Sequence, residues 1–124
     1  MKMYLLFSHT LTDSQIDDAK STLKVDKFIY LPKNLQKIWS EIPPELDSLD
    51  EYLNKIKHFI KSANKGDYVL IQGDFGAVYH MVNFAKELGL IPIYATTKRE
   101  SIELKQGNKI IKKSIFKHIK FRKY

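Results

Sequence analysis

DYVLIQGDFGAVYHMVNFAKELGLIPIYATT, residues 67–97, decides the fold. Tyr68 to Ile71 is a short, nearly unbroken apolar run of the kind a parallel sheet covers on both faces. It ends in Gly73-Asp74-Phe75-Gly76. Beyond that loop Ala77, Met81, Phe84, Ala85 and Leu88 recur at the helical period, and Gly89 stands where a helix C-cap glycine belongs. Leu90 to Ala95 is a second apolar run. Strand, glycine-containing loop, helix and strand in this order make a right-handed βαβ unit. The turn into the helix then lies at the carboxyl edge of the sheet, where free backbone N–H groups and the helix dipole favour anions.

Outward from this unit, Met3 to Ser8 reads as a first strand that stops at Ser8-His9-Thr10. Thr12 and Gln15 form a capping box before the helical stripe Ile16, Ala19 and Leu23. Lys27 to Leu31 is a second strand closed by Pro32, and Asn34 to Ile38 is a helical turn. Ile42-Pro43-Pro44 interrupts any helix, because proline lacks the N–H and disfavours helical geometry in the residue before it. Ser48 and Glu51 make another capping box, ahead of Leu49, Tyr52, Leu53, Ile56, Phe59, Ile60 and Ala63 at helical spacing.

Past Thr97, two strand-like runs, Ser101 to Gln106 and Ile110 to Phe121, flank the turn dipeptide Gly107-Asn108. In the second run Ile111, Ile115, Ile119 and Phe121 share one parity, while Lys112, Phe116, His118, Lys120 and Arg122 take the other. One face is expected to pack and the other to present cations.

The expected fold is α/β over residues 1–124 as one domain. It is a Rossmann-like parallel sheet in the order 2-1-3-4, with helices on both faces and a C-terminal antiparallel β-hairpin that extends an edge or crosses to a partner. In that order the winding reverses between the first and third strands, so a ligand is expected between Ser8-His9-Thr10 and Gly73-Asp74-Phe75-Gly76.

The 124 residues contain no cysteine, which excludes disulfides, thiolate metal sites and a cysteine nucleophile. No stretch approaches membrane-spanning length and the first apolar run is too short for a signal peptide, so the expectation is a cytoplasmic protein with no membrane partner. The formal charge is +7, and its distribution is lopsided. Residues 98–124 carry 10 Lys or Arg against 2 Asp or Glu, and residues 1–97 carry 11 against 12. A basic excess confined to the hairpin attracts polyanions, although a solvated lysine-rich hairpin is the commoner cause of such a bias.

Gly73-x-x-Gly76 is neither a Walker loop nor a dinucleotide fingerprint, and it gains weight only from its place between strand and helix. Asp74 has the alternative role of a helix cap. His9 is a candidate general acid or base. The other histidines are read as helix surface for His58, helix flank for His80 and exposed hairpin for His118. Their scatter leaves no metal-ligand spacing, and neither metal nor cofactor is expected. Thr96-Thr97-Lys98-Arg99 follows the fourth strand and is expected to set two hydroxyls and two cations on the carboxyl edge as a phosphate clamp.

Met3 to Thr12 with its Ser8-His9, Leu31-Pro32, Trp39 and Ile42-Pro43-Pro44-Glu45-Leu46 resemble a small Csx-type family of CRISPR-associated proteins. So do Gln72-Gly73-Asp74-Phe75-Gly76, Ala95-Thr96-Thr97-Lys98-Arg99-Glu100 and Phe116-x-His118-x-x-Phe121-Arg122-x-Tyr124. The resemblance covers essentially the whole chain. It implies a CARF-like accessory protein of a type III system, a homodimer that binds cyclic oligoadenylate across its two-fold and, as a ring nuclease, opens it without metal. On that reading His9, Lys98, Arg99 and Asp74 are the catalytic candidates. Ser8, Thr10, Gln72, Gly73, Phe75, Gly76, Tyr79, His80, Thr96 and Thr97 are the ligand-binding candidates, with Phe75 or Tyr79 stacking on adenine. The alternatives are a non-catalytic sensor or sink for the ring, and an RNA-binding subunit that uses the basic hairpin.

Overall fold

A computed structural model describes residues 1–124. The elements are β1 (Lys2–Leu6), α1 (Asp13–Thr22), β2 (Lys27–Tyr30), α2 (Lys33–Ser40), α3 (Asn54–Ile60), β3 (Tyr68–Ile71), α4 (Phe75–Glu87), β4 (Ile91–Gln106) and β5 (Lys109–Lys123). They build a mixed α/β fold on one five-stranded sheet in the order β2-β1-β3-β4-β5. The first four strands run parallel and β5 pairs antiparallel with β4. No helix is long and apolar enough to cross a membrane.

Side chains alternate across the two central strands. Tyr4, Leu6, Val69 and Ile71 join Trp39, Ile56, Ile60 and Met81 under α2, α3 and α4. Met3, Leu5, Tyr68 and Leu70 face the other way, with Ala19 of α1, Ile93 and Phe121. Every residue from Met3 to Leu6 and from Tyr68 to Ile71 is buried, as continuous apolar strands require. Buried Asp67 ties the two strand starts together by accepting from the Lys2 amide at 3.2 Å and the Asn64 amide at 2.9 Å.

Helix boundaries follow local chemistry. The Thr12–Gln15 capping box forms with both of its bonds. Asp74 caps α4 by accepting from the Ala77 amide at 3.0 Å, and Gly89 closes that helix at φ 74°. The Ser48–Glu51 box does not form. The Ser48 hydroxyl instead accepts from the Asp50 amide at 3.3 Å and donates to the Asp50 carboxylate. That local turn competes with the helix, and α3 begins only at Asn54.

The largest departure from expectation lies beyond Ala95. β4 does not end there; it continues to Gln106, paired with β5 along its length and turned by Gly107-Asn108. Thr96-Thr97-Lys98-Arg99 is therefore mid-strand rather than a loop after the sheet. The register slips between Thr96 and Thr97, where Thr96 faces Lys120 but Thr97 faces His118. Ile119 is the extra residue of a bulge. The Thr96 hydroxyl fills it, donating to the Lys120 carbonyl at 2.8 Å and accepting from the Lys120 amide at 3.2 Å.

One extra residue reverses parity. Phe121 is buried as expected, but Ile111, Ile115 and Ile119 are exposed, and His118 turns inward. Its side chain is 5% exposed, with Nε2 2.7 Å from the Asp18 carboxylate of α1. The ribbon pins itself to the body there and then projects about 30 Å at the rise of an extended strand.

Gly89→Ala is expected to destabilise by about 1–2 kcal/mol, the cost of a side chain in left-handed geometry. A Cβ there would also stand 2.8 Å from Lys65 Cγ. A lowered urea midpoint at unchanged slope checks this.

Candidate functional site

Leu6 and Ile71 are register partners in the parallel β1–β3 pair, so both strands end at the same level. The chain leaving each strand meets the other, and the Gln72 amide donates to the Leu6 carbonyl at 3.1 Å. Between the two loops lies an open depression of about 220 Å³ lined by Phe7, Ser8, His9, Gln72 and Gly73. The sequence places these loops together, and the structure does so.

Helix α2 braces the depression from outside. Gln36 Nε2 donates to the Phe7 carbonyl at 2.8 Å, Trp39 Nε1 to the Gln72 carbonyl at 3.0 Å, and the Ser40 hydroxyl to that of Ser8 at 3.2 Å. The glycine at 73 is required by this contact, since a Cβ would sit 3.0 Å from Trp39 Nε1. On the far side Gln72 Oε1 accepts from the Ala95 amide at 2.8 Å, which fixes its side chain across the β3–β4 gap.

The start of α4 adjoins the depression. Phe75 and Gly76 open the helix, so their amides have no intrahelical acceptor. Phe75 is 94% and Tyr79 74% exposed, and one turn of helix brings them onto the same side. His80 leans away, with Nδ1 3.4 Å from Asp50. Asp74 is occupied as the cap. Thr10 is exposed on the β1 loop but does not line the depression.

The hydroxyl and cation cluster expected from β4 is not assembled there. Thr96 is engaged in the bulge. Thr97 and Lys98 lie on the ribbon opposite His118 and Lys117. Arg99 donates to the Ser114 hydroxyl, 3.0 Å from Nη2, and lies over the Phe116 ring at 6.0 Å. No lysine or arginine lines the depression. Its ingredients are hydroxyls, one imidazole and backbone N–H groups.

Sequence reasoning missed the bracing by Gln36, Trp39 and Ser40. The one available signal is that Trp39 is the sole tryptophan of the chain. It also missed a cluster at the end of β5. Arg122 Nη1 donates to the Tyr94 hydroxyl at 2.9 Å, with the guanidinium 5.4 Å from that ring. The Tyr94 and Tyr124 rings lie 4.8 Å apart, and the Tyr124 hydroxyl donates to the Ile71 carbonyl at the last residue of β3. Burial, and then the neighbouring Tyr94, push the Tyr124 hydroxyl above its usual value of 10.0.

The arrangement defines a class: an α/β protein with a hydroxyl- and amide-lined depression at the carboxyl edge and a basic two-stranded ribbon projecting beyond it. Within that class the chain belongs to the Uncharacterized protein MJ1673 family, whose model matches residues 1–122. It is 61% identical over 124 residues to Uncharacterized protein MJ1673 of Methanocaldococcus jannaschii, a match covering 99% of this chain and 96% of that protein. No solved structure matches it.

Two outcomes are expected. Gly73→Ala displaces Trp39 and reshapes the depression, at a cost of about 1–3 kcal/mol for overpacking, read by urea unfolding and tryptophan fluorescence. Tyr124 is protonated more firmly when folded than when unfolded. Its contribution is therefore present below pH 10 and fades as pH rises from there through the folded value. Tyr124→Phe should flatten that part of the stability–pH profile while lowering stability at neutral pH.

Proposed function

We propose that the carboxyl-edge depression and the start of α4 bind a phosphodiester-linked adenylate ring, and that the protein opens it. This reading takes the fold as a Rossmann-like, CARF-like variant working in the cytoplasm as a homodimer. The observation that carries it is the exposed pair Phe75 and Tyr79 beside the unpaired amides of α4. Two solvated aromatic rings one helical turn apart are a base-stacking platform, worth about 1–3 kcal/mol per base. The adjacent amides and helix dipole favour the phosphate that follows each base. The resemblance to CRISPR-associated proteins supplies cyclic oligoadenylate, most simply the tetra-adenylate ring, as the ligand. A two-fold protein suits a ring with its own rotational symmetry.

The chemistry asks little of the chain beyond positioning. A ribose 2′-hydroxyl attacks the adjacent phosphorus; the new O2′–P bond forms as the P–O5′ bond breaks, leaving a 2′,3′-cyclic phosphate and a 5′-hydroxyl. One proton leaves O2′ and one reaches O5′. His9, exposed at the rim with its ring 5.4 Å from that of Phe7, is the group suited to move a proton there. The Phe75 and Gly76 amides stabilise the charge on the phosphoryl oxygens, and Ser8 and Thr10 hold riboses or phosphates. Lys98 and Arg99 reach a ring only if the ribbon is brought to it.

The projecting ribbon, with its 10 basic residues in positions 98–124, favours RNA binding as a second reading. RNA affinity would fall steeply with salt and vanish on charge reversal at Lys112, Lys120 and Arg122, while Phe75 and Tyr79 would not matter.

Incubation with cyclic tetra-adenylate and chromatographic separation should yield linear products ending in a 2′,3′-cyclic phosphate. Return of the intact ring after tight binding would leave a sink. His9→Ala should slow opening by about 10²–10⁴-fold, the usual worth of an acid–base group. Phe75→Ala and Tyr79→Ala should each weaken ring binding by about 5- to 150-fold, as loss of base stacking requires. Unchanged affinity in both aromatic variants would remove the platform.

A further inference from the structure

We infer that the β4–β5 ribbon docks on the acidic flank of a second copy of this chain, and that in doing so it delivers the cations the depression lacks. From the register, Ile102, Leu104, Ile111 and Ile115 share one face of the ribbon. They are 37–45% exposed. That face is opposite the one on which His118 meets α1. A two-stranded ribbon with one uncovered aliphatic face is only marginally stable in water, so it is built to be covered.

Charge selects the cover. The same face carries Lys98, Lys109, Lys113 and Lys117 against one acid, Glu100. Two such faces packed together would set like charges against each other. The chain does contain a complement: Glu41, Glu45, Asp47, Asp50 and Glu51 lie within eleven residues that include no lysine or arginine. Pro43, Pro44 and the 44%-exposed Leu46 lie among them. This segment flanks the depression, for Ser40 at its start bonds Ser8, and Leu49 Cδ1 lies 3.6 Å from where a Cβ on Gly76 would stand. Left uncovered, those carboxylates repel an anion approaching the depression. A partner's ribbon laid over them neutralises the repulsion, buries the aliphatic stripe, and sets Lys98 and Lys117 of the partner subunit near the mouth. A two-fold exchange satisfies both copies at once. The docking stands on exposure and charge alone; the delivery of cations rests on the reading of the depression as a phosphodiester site.

The test is a charge exchange read by sedimentation velocity, with circular dichroism confirming that each exposed-site variant folds. The full chain should sediment as a dimer that high salt weakens. Glu45→Lys with Asp47→Lys should be monomeric, and so should Lys113→Glu with Lys117→Glu. Mixed in equal amounts, the two variants should restore the dimer, because each reversed ribbon then faces an opposite flank. A monomeric wild type overturns the inference, and monomer that retains single-stranded RNA through the ribbon assigns that face to RNA. A dimer indifferent to the Glu45 and Asp47 reversals also overturns it, since the ribbons would then pack on something else. Binding of cyclic tetra-adenylate, measured on the same samples, separates the readings: a dimer that ignores the ring refutes the site while keeping the docking. Ring binding by a chain that stays monomeric refutes the docking alone.

Discussion

Burial of β1 and β3 on both faces is the constraint from which the rest of the molecule follows. Eight residues in four register pairs, Met3 to Leu6 and Tyr68 to Ile71, leave no polar side for solvent, so the chain must place helices above and below. α1 covers one face and α2 to α4 the other. Winding one way after β1 and the other way after β3 is the connectivity that achieves this with right-handed crossovers. The reversal brings the two carboxyl ends out side by side. The depression at the rim is thus a by-product of covering a sheet twice, and α2 gives it fixed walls through three hydrogen bonds to Phe7, Ser8 and Gln72.

Much of this was legible because it rests on period and punctuation. The apolar runs fixed strand identity, Thr12 with Gln15 and Gly89 marked helix ends, and Gly107-Asn108 marked the hairpin. The order β2-β1-β3-β4 followed from the alternation of elements. Topology alone set Ser8-His9-Thr10 against Gly73-Asp74-Phe75-Gly76, and of these Ser8, His9 and Gly73 line the depression. What stayed hidden depended on single-residue events or tertiary contact. Ser48 has two competing partners in its own segment, and pattern alone does not say that Asp50 wins. No periodicity announces that Ile119 is inserted, yet that one residue turns Ile111 and Ile115 to the opposite face from Phe121. The pairing of His118 with Asp18 joins residues 100 positions apart, and neither looks unusual alone. Trp39 reads as an end-of-helix aromatic until the helix docks on the Gln72 carbonyl.

The clearest consequence of the continuous β4 is a separation of charge from site. Had β4 ended at Ala95, Lys98 and Arg99 would occupy a loop on the rim and the depression would carry its own cations. Because Thr96 satisfies the Lys120 backbone on both its N–H and its C=O, the strand runs on without loss of hydrogen bonding, and the cations leave the body with the ribbon. Arg99 is then held by Ser114 and Phe116. What stays at the rim is nearly neutral and flanked by carboxylates. An isolated copy so arranged is a poor receptor for an anion, whatever its hydroxyls and amides offer. The same ribbon leaves four aliphatic side chains uncovered on one face. Uncovered apolar surface and displaced positive charge both follow from β4 and β5 running on past the body, and a cover over the ribbon would relieve both. The body of the fold is thus complete in one chain, while its basic ribbon and its acidic 41–51 segment lie apart on the surface.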